Sequence, residues 1–230
     1  MILEIRPVAF IHTDFPEKFG IPRQSGLVPE ALGSIYFTEE FRDPEAVRGL
    51  EEYSHLWLIW DFSENHREKV QLTVRPPRLG GAERMGVFAT RSPFRPNPLG
   101  LSCVKLVEVR PHTEQGPCII VSGVDMLDQT PIYDIKPYLP YADAHPEAKE
   151  GFTAGLRGSI TKVEFENGTA ELLGEKNRLA VEQILLTDPR TAYIHDENRL
   201  WGIRYGDFNI RFTVQNGISC VREVSVLTNP

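Results

Sequence analysis

Cysteine and methionine are scarce, with three of each in 230 residues, and the chain carries none of the short signatures that announce a bound metal or nucleotide. Cys103, Cys118 and Cys220 are scattered and odd in number. They fall in apolar, strand-like runs, which points to buried thiols in a reducing, cytoplasmic compartment and away from disulfides. No Cys-x-x-Cys, no His-Glu-x-x-His and no clustered His/Asp set occurs, so no metal is expected. No Gly-x-Gly-x-x-Gly follows a strand, which removes the common doubly wound nucleotide site. The absence of Gly-x-x-x-x-Gly-Lys-Ser/Thr removes the P-loop enzymes. No run approaches the roughly 18 apolar residues of a membrane span. Met1 to Thr13 carries Glu4 and Arg6 and alternates too much for a signal peptide.

What is present is a moderately acidic chain, net charge −7 at pH 7, with one basic zone. Arg75, Arg78, Arg84, Arg91, Arg95, Lys105 and Arg110 face only Glu83 and Glu108 in sequence. A local basic zone on an acidic protein suits one specific polyanion better than non-specific coating; the alternative is that these arginines pair with acids elsewhere in the fold. Short strand-like runs dominate the first half: Ile2–His12, Ser34–Thr38, Ser54–Phe62, Ser102–Val109, Cys118–Asp125 and Ile132–Ile135. Asp43-Pro44 reads as the start of a short helix. Such a series predicts a barrel-like or curled sheet. Tyr141–Thr153 reads as a linker. Beyond it come a strand at Ser159–Phe165, a hairpin signal at Asn167-Gly168, a partly helical stretch at Ala170–Leu186 and a second hairpin at Asn216-Gly217. The expected organisation is a mainly β domain, barrel-like or a curled sheet, over residues 1–148 and a small α+β domain over residues 149–230.

Three segments are too constrained to be ordinary loops. Pro22 to Leu27 reads PRQSGL. Arg75 to Gly81 and Gly86 to Ser102 form the second, where Pro93, Pro96 and Pro98 fix φ and stiffen the frame that carries Arg91, Arg95 and Asn97. Guanidinium and amide groups held in advance are what recognition of a carboxylate, phosphate or base edge requires; a structural loop whose arginines satisfy buried carbonyls is the alternative. The third runs Asp125 to Tyr138. There Asp134, Lys136 and Tyr138 alternate on one strand face. They either orient a polar substrate and move a proton or form a surface ion pair with an aromatic cover.

The stretches PRQSGL, AVRGLEEYSHLWLIW, TVRPPRLGG, RMGVFATRSPFRPNPLGLS and TPIYDIKPYLPYAD resemble the TsaA-like family, and within it the TrmO-type tRNA (adenine-N6) methyltransferases. DPRTAY followed by DFNIRF resembles that group's C-terminal module. The resemblance implies a single-sheet β-barrel that binds S-adenosylmethionine near a homodimer interface and methylates the exocyclic nitrogen of threonylcarbamoyladenosine beside the anticodon of tRNA. Carried over by motif, the cofactor contacts fall on Gln24, Ser25, Gly26, Leu27, Ser63, Glu64, Arg91, Leu101, Asp125, Met126, Leu127 and Asp128. Asp134 is the candidate base, with Lys136 and Tyr138 beside it. Arg95, Asn97, Arg190 and Tyr193 are the candidate substrate contacts. Two positions depart from the family pattern: Gln129 stands where a glycine is expected, and Ser63-Glu64 where His-Gln is. The alternatives are the same chemistry on another substrate, or an RNA-binding barrel without catalysis.

Overall fold

The computed structural model describes residues 4–76, 83–154, 159–190 and 196–227. Six strands close into an antiparallel barrel: β1 (Ala9–Thr13), β2 (Leu32–Phe37), β3 (His55–Asp61), β6 (Leu99–Arg110), β7 (Cys118–Ser122) and β8 (Thr130–Pro137), in the order β1-β2-β7-β6-β3-β8. A separate ribbon pairs β4 (Thr73–Val74) with β5 (Met85–Gly86). Burial alternates along the wall even where, as in β3, the sequence is apolar throughout. Leu56, Leu58 and Trp60 of β3 point into the barrel and join Ala9, Ile11, Ile35, Val104, Val121 and Ile132 in its core. Their neighbours Trp57 and Ile59 point out.

The second unit is a four-stranded sheet in the order β10 (Trp201–Tyr205), β11 (Phe208–Gln215), β12 (Ile218–Val226), β9 (Lys162–Phe165), with helix α2 (Thr169–Leu186) packed on β12 and β9. Asn216 and Gly217 both take positive φ in the turn between β11 and β12, as a two-residue hairpin requires. The Asn167-Gly168 signal does not make a hairpin. The two residues adopt the same left-handed backbone, at φ 53° and 75°, but lead from β9 into α2. Local turn chemistry is identical in the two cases; the residues after the turn differ, with a helical pattern after Gly168 and an alternating one after Gly217. Gly174, at φ 69° and ψ 165°, interrupts α2. Asp43 caps as expected, its Oδ1 accepting from Glu45 N at 2.9 Å, but the turn it starts is a 3-10 turn of four residues. Tyr141–Thr153 is a connection containing most of the four-residue helix α1 (Pro140–Asp143) and a 3-10 turn at Gly151–Thr153. Strand β10 had no counterpart in the sequence reading. Cys118 and Cys220 are buried, Cys103 is half-buried, and all three are free thiols.

The two units share one hydrophobic core, and the loop between β1 and β2 is the seam. Phe15 meets Tyr205 edge-on at 5.4 Å, and Phe19 stacks on Trp201 at 6.0 Å. Gly206 N donates to Asp14 O at 2.7 Å, and Glu30 N donates to Gln183 Oε1 at 3.3 Å.

At the barrel end nearest this loop, Trp60 lies over Gly100, its partner in the β3–β6 register. A Cβ on Gly100 would fall 2.1 Å from the indole ring. Gly100→Ala is therefore expected to act as overpacking and lower stability by about 1–3 kcal/mol. Denaturant midpoints of variant and wild type check this; equal midpoints would show that the indole moves aside freely.

Candidate active site

Trp60 also begins a polar relay in an apolar barrel end. Its Nε1–H donates to Ser102 Oγ at 2.9 Å, and the Ser102 hydroxyl donates to Asp125 Oδ1 at 2.6 Å. Ser102 is almost fully buried. Asp125 follows β7 after Gly123 and Val124, so its carboxyl is carried to the barrel mouth beside β6.

The first constrained segment closes over this point. Gly26 N donates to Gly123 O at 2.8 Å, and a Cβ on Gly123 would meet Gly26 N and Cα at 3.0 Å. Both glycines have positive φ. This close approach brings a backbone bond from Ser25 onto Asp125. The Arg91 guanidinium reaches the same place and donates to Gln24 Oε1. The structure thus gathers Gln24, Ser25, Gly26, Arg91 and Asp125, residues from three separate stretches of sequence. Leu27 and Leu101 are exposed, at 50% and 58%.

The donor set suits S-adenosylmethionine. A desolvated carboxylate faces cationic groups, a guanidinium suits a carboxylate, and exposed leucines offer apolar cover to a base. The Gly26–Gly123 approach leaves backbone groups where side chains would otherwise stand.

The other carried-over positions divide. Met126 is buried in the core, and its carbonyl accepts from Thr13 Oγ1 at 3.1 Å. Asp128 Oδ1 accepts from Thr13 N at 3.0 Å and so ties the turn to β1. Leu127 O accepts from Thr130 Oγ1 at 2.7 Å. Gln129 takes φ 63°, the left-handed geometry a glycine would supply, and its side-chain amide lies 2.8 Å from His12 Nδ1. Ser63 and Glu64 form a 3-10 turn after β3, where Glu64 O accepts from Lys18 Nζ at 3.0 Å. Arg190 is engaged with Asp188 through two bonds of 2.8 and 3.0 Å, and the carbonyls of both residues accept from Arg23. The module that contains Arg190 therefore holds the segment that contains Gln24. Tyr193, and Pro77 to Gly81 of the second segment, lie outside the described residues.

Asp134, Lys136 and Tyr138 stand on the other side of the wall. Leu101, Ile59 and Asp134 form one row across β6, β3 and β8 on the outer face, two strand spacings or about 10 Å across. Ser102, one residue along, points inward to Asp125. Lys136 Nζ is 2.7 Å from Asp134 Oδ2, and Tyr138 packs against Trp57 and His55.

Sequence reasoning missed a second polar group at the same rim. Asp61 ends β3 and is 7% exposed. His66 Nε2–H donates to both its carboxylate oxygens, at 2.8 and 3.0 Å. A bulge in β8 leaves Tyr133 between the pairs Ile59–Asp134 and Trp60–Ile132. Burial, then the charge of Asp61 and a hydrogen bond to it, push the Tyr133 phenol above its ordinary value. The available signal was an aspartate closing an apolar run, HLWLIWD, where burial was already expected.

The fold is a closed β-barrel with a small α+β unit beside it, and one end of the barrel gathers Gln24, Arg91 and Asp125. The TrmO N-terminal model, described as tRNA-methyltransferase O N-terminal domain, matches residues 10–144, and the TrmO C-terminal domain matches residues 160–227. The chain is 39% identical over 224 residues to the tRNA (adenine(37)-N6)-methyltransferase of Escherichia coli, covering 92% of this chain and 93% of that one. It is 40% identical over 219 residues to RcsF of Pseudomonas aeruginosa, named as a putative S-adenosylmethionine-dependent methyltransferase, with 92% and 93% covered. The crystal structure of TrmO from P. aeruginosa superposes with a TM-score of 0.78 at 33% identity over 98% of both chains. The chain belongs to the TrmO family.

Burial pushes the Asp125 carboxyl up to about 6, against the bonds from Ser102, its own backbone and Ser25 and the charge of Arg91. Between the ordinary carboxyl value and about 6 the folded chain holds a proton that the unfolded chain has lost, so stability falls as pH rises across that interval. Asp125→Asn, neutral and nearly isosteric, is expected to exceed wild type at pH 7 by an amount on the order of 2–3 kcal/mol. The gain should vanish as pH falls to the ordinary carboxyl range. Thermal melts of both proteins across that range check the sign; a wild type that is the more stable at neutral pH would refute it.

Proposed function

We propose that this protein transfers a methyl group from S-adenosylmethionine to N6 of an adenosine beside the anticodon of tRNA, and that the adenosine is the threonylcarbamoyl-modified one. The observation that carries the reading is the meeting of Gln24–Leu27, Arg91 and Asp125 at the barrel mouth, in a chain of this family. When bound, the cofactor supplies an electrophilic methyl on a sulfonium sulfur. The chain's part is alignment: the Asp125 carboxylate faces positive charge, and Arg91, held by Gln24, faces negative charge. Arg95 and Asn97, on the proline-stiffened loop, are the contacts proposed for the substrate. The substrate nitrogen carries one proton that must leave as the methyl arrives. Asp134 is the acceptor we assign, with Lys136 holding its carboxylate and Tyr138 offering an aromatic surface.

Asp134 lies on the outer face with Leu101 and Leu99, both exposed, and with the half-buried Ile59 and Trp57. A second copy of the chain seated on this apolar face would cover it and close the site from outside. A cytoplasmic homodimer is therefore the working form we assign.

The reading is tested with purified protein, S-adenosylmethionine and tRNA from cells that lack the modification. Nucleoside mass spectrometry should show one added methyl on threonylcarbamoyladenosine. Asp134→Asn should keep cofactor affinity and melting temperature but slow single-turnover methylation by about 10²–10⁴-fold. Full activity in that variant would remove Asp134 as base, and no methyl gain with wild type would remove the function. For assembly, Leu101→Glu puts a charge on the shared face and should give a monomer in sedimentation. A wild type that is active as a monomer would exclude the dimer.

A further inference from the structure

Beside His66, itself bonded to Asp61, lies a cleft of about 160 Å³ walled by Asn65 to Arg67, Lys69 to Gln71, Phe94 to Pro96 and Pro98. Its walls are built in advance. His66 is held by the buried Asp61 carboxylate. The Arg67 guanidinium lies 3.7 Å from the centre of the Phe94 ring. Arg95 Nη1 donates to Thr90 O at 3.1 Å, which fixes that guanidinium against the stiff loop. Pro98 O accepts from Phe62 N at 2.8 Å, and Phe62 packs on Trp60 at 4.3 Å, so the far wall is braced by the same indole that leads to Asp125. Lys69 adds a third positive charge.

We propose that this cleft is a nucleotide subsite for the RNA, with one base stacked on the Arg67–Phe94 pair and the adjoining phosphate held by Arg67 and Arg95. It rests on the reading that tRNA is the substrate, and it assigns binding to Arg67 and Phe94, which that reading does not use. Three features favour a nucleotide over a simple anion. A guanidinium stacked on a ring presents a flat cationic surface, which suits a base and a phosphate together. A simple anion would need only the charge. The cleft is also linked to the proposed chemistry, because His66 in its wall is bonded to the buried Asp61, which in turn is bonded to Tyr133, next in sequence to Asp134. Finally, single-stranded loops are the parts of RNA whose bases are free to splay out and stack on protein.

The experiment uses the full-length protein and a fluorescent anticodon stem-loop RNA. Anisotropy is measured over a range of salt, and S-adenosylmethionine binding is measured by calorimetry on the same samples. Arg67→Ala should weaken RNA binding by about tenfold or more and make the plot of log affinity against log salt shallower by about one unit. Arg67→Lys keeps the charge, so it should restore the salt slope without restoring the affinity. Phe94→Ala should lower affinity and leave the slope near that of wild type. Cofactor binding should be unchanged in all three. RNA binding equal to wild type in both Arg67→Ala and Phe94→Ala would overturn the subsite while leaving the function standing. Loss of cofactor binding alongside RNA binding in both would also overturn it, because the pair would then be supporting the fold. A wild type that binds no RNA would overturn the function and the subsite together.

Discussion

The candidate site depends on how the loop between β1 and β2 is held. Residues 14–31 have little regular structure of their own, yet they deliver Gln24 to Leu27 to the barrel mouth. They are fixed because they are shared. Phe15 and Phe19 insert against Tyr205 and Trp201 of the C-terminal sheet, and Arg23 is held by the carbonyls of Asp188 and Arg190. On the barrel side the bond from Gly26 N to Gly123 O finishes the seam. The aromatic contacts and backbone bonds that hold it are drawn from both units.

Once that loop is in place, the barrel wall sorts the chemistry by parity. Inward positions at the end of β6 and β3 hold Ser102 and Trp60, which lead to Asp125; outward positions hold Leu101, Ile59 and, through β8, Asp134. Neighbouring residues thus serve opposite sides of one sheet, and the β8 bulge turns Tyr133 toward Asp61. Bulges recur beside functional sites because they re-aim a side chain without breaking the strand. Gly100 completes the arrangement, since only a residue without Cβ lets Trp60 lie flat enough to reach Ser102.

Much of this was legible in the chain. The apolar run Ser54–Phe62 marked a buried strand, which β3 fills, and the turn at Asn216-Gly217 was read correctly from two residues. The absence of any glycine-rich nucleotide loop agreed with a barrel. The three constrained segments were recognised as segments, but their mutual placement was not, because it rests on pairings between residues nearly a hundred positions apart. The family resemblance grouped Asp125 to Asp128 as one contact set. The structure gives Asp125 to the mouth, Met126 to the core and Asp128 to a backbone cap, because a tight turn faces each residue in a different direction. The Asp61–His66 pair went unread because a carboxylate at the end of an apolar strand resembles an ordinary strand boundary until its partner is seen. Asn167-Gly168 shows the reverse: a genuine left-handed turn whose meaning depends on the helix after it.

The seam also orders events during synthesis. The barrel strands leave the ribosome first, and β8 closes the barrel before β9 to β12 have emerged. At that stage the loop of residues 14–31 has one wall only. Trp201 and Tyr205, which seat its phenylalanines, come near the end of the chain, and β10 is steadied only when β11 and β12 have been added. A nascent chain can therefore carry a closed barrel without a finished candidate site, and the site is completed by the strands that emerge after the barrel.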